Sequence, residues 1–147
     1  MTPAKILLIE DNPGDARLAS EALKSSKIHN ELHIVQDGEA AIDYLHKRGD
    51  YQKATTPDII FLDLNLPKKD GREVLAEVKS DEVLKKIPIV ILTTSDHEED
   101  VLRSYNLHAN CYITKPLDFN QFRKVIESIN NFWLSLVKLP PASLDEF

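Results

Sequence analysis

Residues 59–63 are Ile59-Ile60-Phe61-Leu62-Asp63, four consecutive apolar side chains that end in a carboxylate. Apolar residues at consecutive rather than alternate positions are typical of a strand covered on both faces, as in a parallel sheet. Similar short runs occupy residues 6–9, 87–92 and 111–113, and a weaker run with a histidine occupies residues 32–35, where we expect an edge strand. The chain therefore contains five candidate strands.

Helical patterns follow each of these runs. Cap residues and apolar side chains at helical spacing place the helix starts near Asn12, Asp37, Gly71, Glu98 and Leu117, and the last helix extends to about Val137. Strands that alternate with helices require right-handed crossovers and a parallel sheet with helices on both faces. The sequence thus predicts an α/β fold, a doubly wound five-stranded parallel sheet of the (βα)5 type.

The composition of the 147-residue chain is that of one ordinary globular domain, with 42% hydrophobic and 29% charged residues. Its net charge of −6 disfavours direct nucleic-acid binding, because an acidic chain is not attracted to a phosphate backbone. The sequence has no apolar run long enough for a membrane span and no signal-peptide pattern. The single cysteine, Cys111, excludes an internal disulfide. We expect a soluble, cytoplasmic protein of one domain.

Polar side chains gather where the predicted strands end. Glu10 and Asp11 follow the first strand, Asp63 ends the third, Thr93 follows the fourth and Lys115 follows the fifth. In open α/β sheets ligands bind at this edge. Neighbouring carboxylates need a cation, and an all-oxygen set favours a hard ion such as Mg²⁺. A carboxylate can also form an acyl phosphate, for which Asp63 is the best placed, while Thr93 and Lys115 would contact phosphoryl oxygens.

In this order and at these distances the residues resemble the receiver domain of two-component response regulators, the CheY-like, flavodoxin-like fold. The segments Leu66–Gly71 and Lys115-Pro116 fit that family as well, and the resemblance covers residues 4–131. It implies the strand order 2-1-3-4-5. It also implies that Asp63 accepts a phosphoryl group from a histidine kinase, so that the chain is a phosphoacceptor switch rather than an enzyme.

The resemblance further implies the metal ligands. Asp11, Asp63 and the main-chain carbonyl of Asn65 would bind Mg²⁺, and Glu10 would act through a water molecule. The principal alternative is a Mg²⁺-dependent phosphohydrolase that also forms an aspartyl phosphate. Such enzymes commonly carry a second aspartate two residues after the nucleophile, and Asn65 occupies that position here.

Three residues would respond to phosphorylation if the resemblance holds. Thr93 would swing towards the acyl phosphate, Lys115 would contact it, and Tyr112 would be the aromatic rotamer switch, unless it is a half-buried structural tyrosine. The Lys115–Pro116 bond would be cis. Thr94 departs from the family, which often has Ala or Gly there, and its larger side chain would narrow access to the phosphoryl group. The altered face, made by the fourth helix, the fifth strand and the fifth helix, would act on a partner protein or in onward phosphotransfer.

A narrower resemblance concerns the small response regulators that partner cyanobacterial phytochromes. It is carried by residues 44–57, by residues 62–75 and by the ending from Phe132-Trp133-Leu134 to Leu139-Pro140. The resemblance implies a stand-alone receiver whose kinase is a light-sensing histidine kinase.

The last helix carries a longer apolar stripe than one sheet face readily covers. Exposed apolar patches mark association sites, so we predict a homodimer. The expected interface residues are Phe122, Ile129, Phe132, Trp133 and Leu136. The alternative is that this end folds back on its own domain. We predict that residues 4–131 form the receiver domain and that residues 132–147 are a C-terminal extension with a possible dimerisation segment and a frayed tail.

Other function classes fit less well. A flavin-binding protein of flavodoxin type is disfavoured because the acids of the loop at residues 10–14 would repel the FMN phosphate. The sequence lacks the P-loop motif of nucleotide-binding proteins. A phosphorylation-independent interaction module stays open.

Overall fold

The computed structural model of the chain describes residues 3–27, 29–93, 111–115 and 117–137, with the backbone alone at residues 111 and 129–137. Its strands are β1 (Ala4–Ile9), β2 (Asn30–Val35), β3 (Ile59–Asp63), β4 (Ile89–Thr93) and β5 (Cys111–Thr114). Its helices are α1 (Pro13–Lys24), α2 (Gly38–Leu45), α3 (Gly71–Ser80) and a C-terminal helix (Phe119–Val137), with short 3₁₀ turns at Gly49–Tyr51 and Leu84–Lys86.

The five strands form one parallel sheet in the order β2-β1-β3-β4-β5, which confirms the predicted topology and the position of β2 at an edge. The register aligns the strand ends, since Asp63 lies beside Leu92 and Thr93 lies beside Thr114. The carboxyl ends of β1, β3, β4 and β5 therefore meet at one edge of the sheet.

Two hydrophobic cores cover the two faces of the sheet, which explains the consecutive apolar residues. In β1, Leu7 and Ile9 point into the core beneath α2 and α3. Ile6 and Leu8 point into the opposite core, beneath α1 and the C-terminal helix. Because alternate residues of a strand face opposite sides, a strand buried on both faces needs an apolar residue at every position.

The helices begin where the sequence places cap residues. The Asn12 side chain accepts a hydrogen bond of 2.9 Å from the Asp15 N–H at the start of α1. The Asp37 side chain accepts one of 2.8 Å from the Ala40 N–H at the start of α2. Asp70 begins α3 with a reciprocal capping box. These caps fix the helix N-termini at the same edge of the sheet as the strand ends.

Phe122 is a core residue, and its assignment to a dimer interface is wrong. Its side chain has no exposed surface, and its ring lies 5.5 Å from the ring of Phe61 in the core beneath the C-terminal helix. Sheet contact therefore accounts for this part of the apolar stripe.

Several predictions concern parts of the chain that the structure does not describe. These are the helix expected near Glu98, the Thr94 side chain, the Lys115–Pro116 bond, residues 138–147 and the side chains of Ile129, Phe132, Trp133 and Leu136. None of the helices in the described part of the chain is long and apolar enough to cross a bilayer.

Candidate metal centre

The predicted site residues meet at the carboxyl edge of the sheet. Glu10 directly follows β1, Asp63 ends β3, Thr93 ends β4 and Lys115 directly follows β5. The sheet ladder continues to this edge, because the Lys115 N–H donates a hydrogen bond of 2.6 Å to the Thr93 carbonyl. The backbone of four parallel strands thus fixes where these side chains begin.

Three carboxylates form a cluster that could hold a metal ion. Glu10, Asp11 and Asp63 each offer an oxygen, and these oxygens lie within 4.8 Å of one another. Glu10 is 1% exposed and Asp63 is 2% exposed, whereas Asp11 is exposed. Oxygen donors without histidine or thiolate suit a hard cation, and the exposed Asp11 leaves one side open to a hydrated one. The donor set fits Mg²⁺ or Mn²⁺.

Lys115 lies among these carboxylates. Its Nζ is 2.9 Å from Glu10 Oε1, 3.1 Å from Asp63 Oδ2 and 3.0 Å from Asp15 Oδ2. Burial alone would lower the pKa of Lys115, but hydrogen bonds to Glu10 and Asp15 outweigh it and hold that pKa above its usual range. The lysine is therefore a fixed positive charge that the acidic site surrounds.

Burial makes the charged form of Glu10 costly. Burial, followed by the hydrogen bond it shares with Asp63, raises the pKa of Glu10 from 4.5 to about 7, although Lys115 acts in the opposite direction. One ammonium group thus does not fully compensate two buried carboxylates. The site gains from any further positive charge.

Hydrogen bonds hold the Asp63 carboxylate, and close packing by Gly71 holds its backbone. Its Oδ1 accepts a hydrogen bond of 2.9 Å from the Asn65 N–H, and its Oδ2 accepts one of 3.1 Å from Lys115 Nζ. Gly71, at the start of α3, approaches so closely that a Cβ there would lie 2.4 Å from the Asp63 carbonyl oxygen. Only glycine permits this contact, which holds α3 and the loop after β3 against the end of the strand.

The two predicted switch residues lie near this edge. Thr93 is buried, and Tyr112 is half-buried against the core beneath α2 and α3. Their movement on phosphorylation stays a prediction, as does the part assigned to the Asn65 carbonyl.

The site contains one residue that the sequence analysis missed. Asp15 contacts Lys115, but the sequence analysis uses the residues near Asn12 only to place the start of a helix. A signal was available, because α1 begins after a connection of only three residues from β1, so its first turn must lie near the edge where the strands end.

Comparisons with known proteins agree with the fold. Residues 6–127 match the family described as the response regulator receiver domain. The response regulator Rcp1 of Synechocystis sp. is 52% identical over 140 residues, which are 95% of each chain. The crystal structure of the phosphorylated cyanobacterial phytochrome response regulator RcpA matches with a TM-score of 0.80 and 52% identity, over 92% of this chain and 96% of that one. The Mn²⁺-bound form of Rcp1 matches with a TM-score of 0.78 and 52% identity, over 90% of this chain and 95% of that one.

Proposed function

This chain belongs to the response regulator receiver domain family, and from that membership we propose that Asp63 is the residue that carries the phosphoryl group. Receiver domains act as phosphoacceptor switches for histidine kinases. Asp63 ends a central strand, is 2% exposed and lies beside both a carboxylate pair and an ammonium group. The observation that supports this assignment best is the convergence of Glu10, Asp11, Asp63 and Lys115 at one sheet edge.

Glu10, Asp11 and Asp63 would hold Mg²⁺, together with the main-chain carbonyl of Asn65, and Glu10 would act through water. The ion, when bound, supplies the positive charge that offsets the carboxylates and the incoming phosphoryl oxygens. This proposal is supported by the all-oxygen donor set and by the Mn²⁺-bound structure of the similar protein Rcp1.

Asp63 would react as a nucleophile. One of its carboxylate oxygens forms a P–O bond while the P–N bond of the kinase phosphohistidine breaks, and the kinase imidazole leaves with the electron pair of that bond. Oδ2 already lies 3.1 Å from Lys115 Nζ, so a phosphoryl group on that oxygen forms within reach of the ammonium group. Thr93, at the end of the neighbouring strand, would then donate its hydroxyl to a phosphoryl oxygen, and Tyr112 would turn inward.

The partner kinase would be a light-sensing histidine kinase of the phytochrome type, and the exchange would take place in the cytoplasm. The support is the 52% identity to RcpA, which is described as a cyanobacterial phytochrome response regulator. The output would be a partner protein or a further phosphotransfer. We also propose a homodimer through Ile129, Phe132, Trp133 and Leu136 of the C-terminal helix, without Phe122. A monomer by light scattering at micromolar concentration would contradict the dimer.

Transfer of labelled phosphate from an autophosphorylated histidine kinase tests the assignment. The wild-type chain is expected to take up label in the presence of Mg²⁺ and to lose it to hydroxylamine, as an acyl phosphate does. Asp63→Asn is expected to take up none. Glu39→Ala, which removes an exposed carboxylate at the start of α2, is the matched control and keeps the label. Label on the Asp63→Asn protein would overturn the assignment.

A further inference from the structure

The Lys115 ammonium group is shared between two kinds of carboxylate. An ammonium group has three N–H donors, and three residues lie within 3.1 Å of this one, namely Glu10, Asp15 and Asp63. Glu10 and Asp63 belong to the cluster that could hold a metal ion, whereas Asp15 does not. Lys115 therefore has one anchor outside the metal cluster.

Among the described contacts, Lys115 is the ion-pair partner of the Asp15 carboxylate, which also lies in the first turn of α1, where a negative charge is favoured. The cap of α1 uses the Asn12 side chain and the Asp15 backbone N–H, so the cap does not need the Asp15 carboxylate. That side chain is 23% exposed, against 0% for Glu10 and 2% for Asp63. It approaches Lys115 from the rim of the site, on the α1 side.

A divalent cation and the ammonium group compete for the same oxygens. Lys115 Nζ contacts Oδ2 of Asp63 and both carboxylate oxygens of Glu10. A metal ion on these residues weakens the hold of their oxygens on the ammonium group, because each oxygen has a limited negative charge to share. With Asp15 present, the ammonium group keeps a charged partner when it gives up the other two. Without Asp15, it depends on the metal ligands alone.

We propose that Asp15 is a positioning residue, which draws the Lys115 ammonium group towards α1 and so leaves Glu10 and Asp63 available to a divalent cation. This inference rests on the proposed function in one respect, namely that Glu10 and Asp63 belong to the metal site. It assigns Asp15 no contact with the metal ion.

A titration of the metal-free protein with MgCl₂ tests this role without any phosphoryl donor. The amide NMR signals are recorded at each step, and the ionic strength is kept constant. Asp15→Ala is expected to raise the Mg²⁺ dissociation constant about three- to tenfold. This is no more than the smallest loss of metal affinity, about tenfold, that is usual when a residue that orients a metal ligand is replaced. Glu39→Ala is the matched control. Glu39, like Asp15, is an acid in the first turn of a helix at this edge, but among the described contacts it has no ion pair with Lys115. We expect it to change the constant by less than about twofold, because a distant exposed charge is screened.

The second arm repeats Asp15→Ala in a Lys115→Met background. There is then no ammonium group to redirect, so we expect Asp15→Ala to change the Mg²⁺ dissociation constant by less than about twofold. An equal loss in both backgrounds would show that Asp15 acts through its own charge, and it would overturn the proposal. Unchanged affinity in Asp15→Ala would overturn it as well.

The outcomes separate this inference from the proposed function. If the wild-type protein binds Mg²⁺ but Asp15→Ala leaves the affinity unchanged, or lowers it equally in both backgrounds, only the role of Asp15 is refuted. If the wild-type protein binds no Mg²⁺, the proposed metal site fails and the role of Asp15 fails with it. The same spectra show whether each variant is folded. Asp15→Asn keeps the shape of the side chain without its charge, and we expect it to raise the Mg²⁺ dissociation constant as Asp15→Ala does.

Discussion

The stability of the metal-free protein should fall as the pH rises, because Glu10 holds a proton more tightly in the folded state than in the unfolded chain. Burial and the hydrogen bond shared with Asp63 raise the pKa of Glu10 from 4.5 to about 7. Between these two values the unfolded chain has released the proton while the folded protein still binds it. The extra stability is therefore present in full below the unfolded value, decreases through this window and is lost above the folded value.

The size of the effect follows from the shift. One pKa unit corresponds to about 1.4 kcal/mol, so raising the pKa of Glu10 from 4.5 to about 7 corresponds to about 3 kcal/mol. The part of the window above pH 5 accounts for about 2–3 kcal/mol of that loss. Solvent screens the Glu10 carboxylate little, since Glu10 is 1% exposed.

Urea unfolding in EDTA at pH 5, 6, 7 and 8 measures this dependence. We expect the free energy of unfolding of the wild-type protein to fall by about 2–3 kcal/mol relative to that of Glu10→Gln across this range. The difference between the two proteins removes the contribution of the histidines, which both share. Saturating Mg²⁺ at pH 8 should stabilise the wild-type protein more than the variant, because ligand binding to the folded state adds to its stability.

Parallel curves for the two proteins would refute this reasoning, since they would show that the Glu10 carboxyl titrates alike in both states. A wild-type protein that gains stability relative to Glu10→Gln as the pH rises would reverse the sign. In that case Lys115 would dominate the Glu10 carboxylate, and the site would hold no excess of negative charge.

Two further predictions concern packing at and below the site. Gly71→Ala would bring a Cβ to within 2.4 Å of the Asp63 carbonyl oxygen, so we expect it to weaken Mg²⁺ binding in a calorimetric titration and to lower stability by about 1–3 kcal/mol in urea unfolding. Phe122→Ala should cost about 3–5 kcal/mol because its side chain has no exposed surface, whereas Phe119→Ala, at a position 38% exposed in the same helix, should cost less than about 1 kcal/mol. Equal losses at the two phenylalanines would contradict the burial of Phe122.

The topology could be predicted because the central strands β1, β3 and β4 are buried on both faces. Continuous apolar runs identify such strands directly, and the rule that ligands gather at their carboxyl ends then locates Glu10, Asp63, Thr93 and Lys115 at one edge. The sequence separates these residues widely, but the crossovers of a parallel sheet leave little choice about which ends meet.

The burial and contacts of individual side chains could not be predicted in the same way. The stripe on the C-terminal helix shows that Phe119, Phe122 and Ile126 are apolar, but not how far the sheet covers them. In the structure Phe122 and Ile126 are buried and Phe119 is 38% exposed, because coverage depends on the angle of the helix across the sheet. Asp15 could be placed near this edge from its position just after β1, but the sequence does not show that its side chain reaches Lys115.

The arrangement of Lys115 limits how the site can respond to a change of charge. Its backbone N–H is bonded to the Thr93 carbonyl at 2.6 Å, so the ends of β4 and β5 are tied together. The Lys115 side chain, by contrast, can exchange partners among Glu10, Asp15 and Asp63 without breaking the sheet. A ligand shifts a conformational equilibrium only by its differential affinity for the two states. Under the role proposed for Asp15, the exchange of ammonium partners would supply such a difference at the point where two strands end.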